Sequence, residues 1–478
     1  MKAVVYRPND GFLCEENGTS APTTYRVFPY SLAVCAASLE ESGVEVGVVD
    51  AAAGRLGWQK AIGLVEKERP EVVIVAVNNI AAGLDMQGIE QMKSRLAIPV
   101  VALMTHPMEE ETIRSYPFLD VAIRREWSST AVDVLKALAG RKDLALVPGV
   151  TLVRDGEVVR TEGRPHQGLD ERPVPALHLF PMKQYDSYQI AMSEGCNYHC
   201  SFCWFCGYPP SGWSGRNIDR VLEELRRLKS YGSKPVFTID DELTFDPEYA
   251  KRVCQGIVKA KINMMFSANT RADRAEDELL EMMSRAGFFN LQFGVESGCQ
   301  EILDRNGTRK TLEQAKAAFA LLEKHRIASK VFFLIGLLHE TRETVQQTFR
   351  FVREELNHYD ASFDIAIPYP GTSMHRFLKR KGWIRTLDPE NLSWIYFHVY
   401  GCRQLAGTPM RKPFWRIGKM TFDDLYEMER KFYRYVPRGG LVPQLKRLMF
   451  NRAFRRTTRD LLWHEPGELL GLAARLLS

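Results

Sequence analysis

Three cysteines, Cys196, Cys200 and Cys203, fall in one short stretch, Glu194-Gly195-Cys196-Asn197-Tyr198-His199-Cys200-Ser201-Phe202-Cys203, with the aromatic Phe202 directly before the third. Thiolates are soft ligands that select iron–sulfur clusters or zinc. Three of them this closely spaced can cover one face of a [4Fe-4S] cluster and leave its fourth iron without a protein ligand. Structural zinc more often shows paired CxxC knuckles, and no second pair lies elsewhere in the chain. The reading is therefore a cluster held by Cys196, Cys200 and Cys203. Cys206 is expected to be a packed thiol that does not ligate, because an auxiliary cluster would need several more cysteines. Cys14, Cys35, Cys254, Cys299 and Cys402 are scattered, as small buried hydrophobes are.

A loop of this kind needs a scaffold, and the periodicity supplies one. From residue 187 onward, short apolar runs (188–192, 235–239, 263–268, 290–295, 331–335, 363–367) alternate with amphipathic segments (218–230, 247–260, 276–286, 312–325, 342–356). Six strands with intervening helices fit a partial (βα)6 TIM barrel over 187–385, with the cysteine loop following its first strand. Polar residues close the later strands: Asp240-Asp241-Glu242, Ser267-Ala268-Asn269-Thr270-Arg271 and Phe293-Gly294-Val295-Glu296-Ser297-Gly298. Barrel enzymes place chemistry at the carboxyl ends of strands.

Residues 1–140 show the same alternation, with strands near 2–6, 44–50, 71–77, 98–104 and 120–123 and helices near 30–42, 57–67, 84–96 and 128–139. That pattern predicts a doubly wound, Rossmann-like parallel sheet whose ligand crevice lies outside the strands' carboxyl ends. No GxGxxG occurs, so a dinucleotide fingerprint is absent. Residues 141–186 hold a hairpin signal, Asp155-Gly156, and a proline-rich connector, Arg172-Pro173-Val174-Pro175, where the domain boundary is expected. Residues 386–478 are expected to form a helical cap, with 411–415 and 421–438 over the barrel mouth. The fold class is α/β throughout.

The cysteine stretch and its downstream segments resemble the radical SAM superfamily. Phe293–Gly298 resembles its GxESG segment. Phe333-Leu334-Ile335-Gly336-Leu337-Leu338-His339-Glu340-Thr341 resembles a pattern ending Gly-Leu-Pro-Gly-Glu-Thr, with Leu338 and His339 in place of Pro and Gly, which predicts a rebuilt turn. Pro368-Tyr369-Pro370-Gly371-Thr372 matches the PYPGT segment of one subfamily. The N-terminal third resembles the cobalamin-binding domain of that subfamily in Pro29-Tyr30-Ser31-Leu32-Ala33, Val49-Asp50-Ala51, Thr105-His106-Pro107 and Arg124–Thr130, where Arg125 replaces a glycine. No DxHxxG follows the first strand, so cobalt would have no histidine below it, or would take water or another side chain.

The resemblance implies a [4Fe-4S] cluster, S-adenosylmethionine and cobalamin as cofactors. Asp241 and Glu242 would accept from the α-ammonium of S-adenosylmethionine, whose three donors need partners. Arg271 would pair bidentately with its carboxylate. Glu296, with Ser297, would hold the ribose, and Gly336 would lie near adenine. Phe202, Asn269 and Tyr369 complete the expected contacts. Asn78 and His106, in crevice loops of the N-terminal domain, are candidate cobalamin contacts, although a loop histidine is more often solvated or packed. Trp204, Trp213 and Tyr369 are either pocket-mouth or core aromatics.

The implied activity is cleavage of S-adenosylmethionine to a 5′-deoxyadenosyl radical and methylation of an unactivated carbon in a small-molecule, lipid or tetrapyrrole substrate. The alternatives are non-methyl radical chemistry beside a vestigial cobalamin domain, and a non-catalytic cluster or cobalamin sensor. An external electron donor of flavodoxin or ferredoxin type is implied. The chain has no run of 18 apolar residues and no signal peptide at its start, which together with the cysteine usage predicts a cytoplasmic monomer. Nine Lys or Arg against one acidic residue between 431 and 460 fit either a solvated basic face or a peripheral membrane contact. Nucleic-acid binding has no domain to carry it.

Overall fold

The computed structural model describes residues 1–9, 26–77, 82–104, 107–207, 212–356, 360–398 and 410–435. The chain forms two compact units, Met1–Tyr185 with Arg385–Pro413, and Asp186–Ile384 with Phe414–Ser478. Among the described residues no helix is long and apolar enough to cross a membrane.

The first unit is built on five parallel strands in the spatial order Glu45–Asp50, Lys2–Arg7, Val72–Val77, Val100–Met104, Val121–Ile123. Val72, Val73, Ile74 and Val75 are all buried, as strands covered on both faces must be. Helices Tyr30–Glu41, Trp58–Lys67, Ala82–Leu96 and Trp127–Ala139 lie within two residues of their expected bounds. Two more, Ala51–Gly54 and Glu109–Ser115, are too short to show in the periodicity.

The expected connector is instead part of this unit. Asp155 (φ 51°) and Gly156 (φ 80°) make the hairpin turn, and the strand Val150–Arg154 pairs antiparallel with Val121–Ile123. The buried Arg124 staples that hairpin to the sheet: it donates to the carbonyls of Val150 (2.6 Å), Thr161 (2.6 Å) and Glu162 (3.0 Å). The proline-rich segment is tied down too, because Tyr185 donates its hydroxyl to Asp50 Oδ2 at 2.6 Å. Helix Pro389–His398, from the expected cap, packs in this unit against Ala82–Leu96 and Glu109–Ser115.

The second unit carries six parallel strands whose spatial order follows the sequence: Tyr188–Ile190, Val236–Thr238, Phe266–Thr270, Phe288–Glu296, Ala328–Ile335, Asp360–Ile365. The third starts later than its apolar run because Lys261 and Asn263 both adopt φ 51°, which turns the chain out of an extended path. Helix starts are fixed by side chains: Asn217 caps Ile218–Ser230, Asp246 caps Pro247–Lys259, and Thr311 forms a capping box with Gln314 ahead of Leu312–His325.

Burial alternates residue by residue from Phe289 to Glu296 and along Ala328–Ile335. One face packs Phe266, Phe288, Phe293, Phe333 and Phe363 in the core. The other, with Asn290, Gln292, Gly294, Glu296, Lys330 and Asp364, stays partly open. Residues 411–415 are not helical; Trp415 is fully buried and bridges to Ile384. Helix Phe422–Tyr435 packs on strand Asp360–Ile365.

Candidate functional site

The cysteine loop leaves the short strand Ser193–Glu194 and is held by residues that follow the second strand of the six-stranded sheet, Val236–Thr238. Asp240, 1% exposed, accepts from the Met192 amide (3.1 Å), the Ser193 hydroxyl (2.7 Å) and the Ser193 amide. Asp241 accepts from the Gly195 amide at 2.9 Å, directly before Cys196. Further along, Ser201 donates its hydroxyl to Asn306 Oδ1 (2.6 Å) and its amide to the Asn306 carbonyl (3.0 Å). The loop is therefore fixed at its entrance and between its second and third cysteines.

Tyr198, inside the loop, is clamped by three residues of one short segment. The Arg271 guanidinium lies 3.5 Å from its ring centroid, Arg274 donates to its hydroxyl (2.9 Å), and that hydroxyl donates to Asp273 (3.2 Å). The Arg271 fork is itself taken by Asp273, at 2.8 and 3.2 Å, and by the Thr308 carbonyl at 2.8 Å. The Arg271 fork thus meets a protein carboxylate two residues away, and its stacking on Tyr198 orients the loop.

Of the two acids expected to meet an ammonium group, only Asp241 is exposed. Glu242 is 2% exposed, accepts from the Thr244 hydroxyl (2.5 Å) and amide (3.2 Å), and burial pushes its carboxyl up to about 7. Asn269 is exposed at the carboxyl end of its strand and in register with Gln292, which is in register with Lys330. Glu296 follows a β-bulge at φ 75° and pairs with Lys310 Nζ at 3.2 Å.

Other residues expected at the cofactors have surroundings within the protein itself. Ser297 is buried and bonds to Thr348 Oγ1 (3.1 Å) and the Cys299 amide (3.2 Å). Tyr369 is a buried core ring. Trp213 donates to the Glu242 carbonyl (2.9 Å) and stacks on Phe245; Trp204 and Phe202 are half-buried beside the cysteines. Gly336, at φ 86°, gives its amide to Glu340 Oε2 (2.6 Å). The turn expected to be rebuilt keeps a left-handed residue, since His339 takes φ 70° against the Phe377 ring. Asn78, His106 and the basic run beyond 435 lie outside the described residues, as does the Cys206 side chain.

Two residues that sequence reasoning passed over act at the centre. Asn306 is 1% exposed and joins Ser201 to the turn at Leu338, donating to its carbonyl (3.0 Å) and accepting from its amide (3.2 Å). Lys310, 5% exposed in its side chain, donates to the Gly294 carbonyl (2.5 Å). Its charge lowers the affinity of the Cys200 thiol for its proton.

Cys196, Cys200 and Cys203 are half-buried thiols that form no disulfide. Burial pushes Cys196 and Cys200 up to about 11; Cys203 raises both further, and Cys200 adds to the rise at Cys196. Among the described residues no three His, Cys, Asp or Glu side chains converge on a single ion. Three soft donors spread along one loop fit a polynuclear iron–sulfur cluster, which spaces its ligands over several irons.

Residues 190–352, spanning this sheet and its cysteine loop, match the family model described as the radical SAM superfamily. The chain carries a radical SAM domain. An uncharacterized methyltransferase of Pyrococcus horikoshii is 27% identical over 396 residues, covering 80% of this chain and 84% of that protein. The anaerobic magnesium-protoporphyrin IX monomethyl ester cyclase of Rubrivivax gelatinosus is 26% identical over 326 residues, 64% of this chain and 55% of its own. The fold is that of the radical S-adenosylmethionine methyltransferase TsrM from Kitasatospora setae, solved with cobalamin and a [4Fe-4S] cluster bound. Its TM-score is 0.69 at 17% identity, over 93% of this chain and 88% of that one. The radical SAM domain thus has its three thiols where its sheet presents open strand ends.

Proposed function

We propose that this chain is a cobalamin-dependent radical SAM methyltransferase acting on a small molecule. The observation that carries the reading is the anchoring of the three-cysteine loop by Asp240, Asp241 and Asn306 at the carboxyl end of a parallel six-stranded sheet. When bound, the cluster with S-adenosylmethionine supplies a 5′-deoxyadenosyl radical, and cobalamin supplies the methyl group for an unactivated carbon.

The protein's part is to hold and orient. Asp241 offers an exposed carboxylate beside the first cysteine, suited to an α-ammonium with three donors. Asn269, with Gln292 beside it, presents side-chain amides on the open sheet face, and the Glu296–Lys310 pair closes the next strand. Arg271 and Tyr198 keep the loop in one conformation by stacking. The similarity of relatives named as methyltransferases supports the methyl-transfer assignment.

Anaerobic reconstitution tests it. Expected are about four irons per chain, 5′-deoxyadenosine on addition of dithionite and S-adenosylmethionine, and hydroxocobalamin retained after desalting. A wild type that forms no 5′-deoxyadenosine and matches Cys200→Ala overturns the radical reading. Failure to retain cobalamin overturns the methyltransferase assignment. The similarity to a cyclase favours non-methyl chemistry as the second reading. Retained cobalamin with 5′-deoxyadenosine and an unmethylated, rearranged product would select it.

A further inference from the structure

Helix Ser373–Arg380 starts against the cysteine loop. Its Met374 amide donates to the Ser201 carbonyl at 2.8 Å, and Thr372 caps it through the His375 amide at 3.0 Å. Ser201 lies between Cys200 and Cys203. One hydrogen bond and a few covalent bonds therefore separate this helix from two thiols of the cluster loop.

The helix buries only Met374 and Leu378. Arg376, Lys379 and Arg380, with Lys381 directly after, are all exposed. Ser373, Arg376, Lys379 and Arg380 line an open groove of about 500 Å³. No acidic residue occurs between Asp364 and Asp388. Among the described residues none of the four cations forms an ion pair. His375 feels this field, since Lys379 and Arg376 add to burial in lowering its proton affinity.

Arg376, Lys379 and Arg380 line one exposed face without an acidic partner among the described residues, and like charges so placed repel one another. Such a patch pays off in association, where it steers an oppositely charged partner. Its place one hydrogen bond from the cysteine loop decides which partner, because electron transfer needs a short path and the cluster must be reduced from outside.

We propose that the basic face of Ser373–Arg380 and Lys381 docks a small acidic one-electron carrier that reduces the cluster. The proposal rests on the radical SAM reading above. In the transfer the carrier's reduced flavin loses one electron and the cluster gains one; no atom changes hands.

The test uses reconstituted holoenzyme and a recombinant acidic flavodoxin. Its binding is titrated at several salt concentrations, for wild type and for the combined Arg376→Glu, Lys379→Glu, Arg380→Glu variant. A charge reversal at the exposed Arg285, on another helix, is the control. Expected are affinity weakened at least roughly tenfold in the triple variant, a flattened salt dependence, unchanged Arg285→Glu, and 5′-deoxyadenosine formation with dithionite as in wild type. A milder Lys379→Gln, Arg380→Gln variant should fall between the two. Equal flavodoxin affinity in wild type and triple variant overturns the proposal. So does a wild type that binds phosphatidylglycerol vesicles or inorganic phosphate through these residues but not flavodoxin. Dithionite yielding no 5′-deoxyadenosine in wild type would sink the radical SAM reading instead, whatever flavodoxin does.

Discussion

Ser201 donates its hydroxyl to Asn306 at 2.6 Å, across 105 residues of sequence, and the same amide side chain grips Leu338 from both its donor and acceptor ends. The cysteine loop and the Gly336–Glu340 turn are thereby set by one buried group. Asn306→Ala leaves the Leu338 amide and carbonyl and the Ser201 hydroxyl to find other partners. The expected loss is about 2–4 kcal/mol in denaturant unfolding, together with lower iron content after reconstitution. Unchanged iron binding would show that the loop holds its shape without Asn306.

Lys310 is a buried cation whose field reaches Cys200. Removing a positive charge beside a cluster favours its oxidised form. A unit charge several ångström away at an effective dielectric near 20 is worth on the order of 2 kcal/mol, or roughly 90 mV for one electron. Lys310→Met should lower the cluster midpoint potential by a shift of that order, read in an EPR-monitored redox titration. A potential equal to wild type would remove Lys310 from the electrostatics of the site.

Glu340 is fully buried, and burial pushes its carboxyl from 4.5 up to about 8 even though the Gly336 and Leu337 amides donate to it. A folded chain that holds this proton more tightly than the unfolded chain loses stability as pH rises from about 4.5 to about 8. Glu340→Gln keeps the acceptor and removes the titration. Its unfolding free energy should therefore fall less steeply than wild type between pH 5 and pH 8 in chemical denaturation. Parallel profiles would place the proton elsewhere.

Gly298 lies so close to helix Arg342–Glu355 that a Cβ would meet Phe351 Cβ at 2.5 Å and Thr348 Cα at 2.8 Å. The second is backbone and cannot rotate aside. Gly298→Ala should cost about 1–3 kcal/mol by overpacking, measured as a lowered denaturation midpoint. A midpoint within error of wild type would mean that the helix shifts freely.

The parts of this site legible in the sequence are those written in local spacing. The cysteine triplet, the polar residues closing each strand, and the approximate bounds of most helices announced themselves through spacing and period. What stayed hidden depends on pairings between distant segments. Asn306 and Lys310 sit in an unremarkable stretch, and only the approach of Ser201 and Gly294 gives them work. The contact of Arg271 with Asp273 was hidden as well, because the fold, and not the spacing of two residues, turns the guanidinium onto that carboxylate. The hairpin after residue 147 was legible as a hairpin, but its membership of the first sheet depended on Arg124 reaching its carbonyls.

The chain enters its second unit after Tyr185, goes back for Arg385–Pro413, and leaves again. A ribosome therefore releases the whole six-stranded sheet before it releases helix Pro389–His398, which packs on Ala82–Leu96 in the first unit. The nascent first unit must wait with that helix surface uncovered, while domains elsewhere close as soon as they emerge. Order of synthesis and order of completion differ in this protein: what is begun first is finished after the radical SAM sheet.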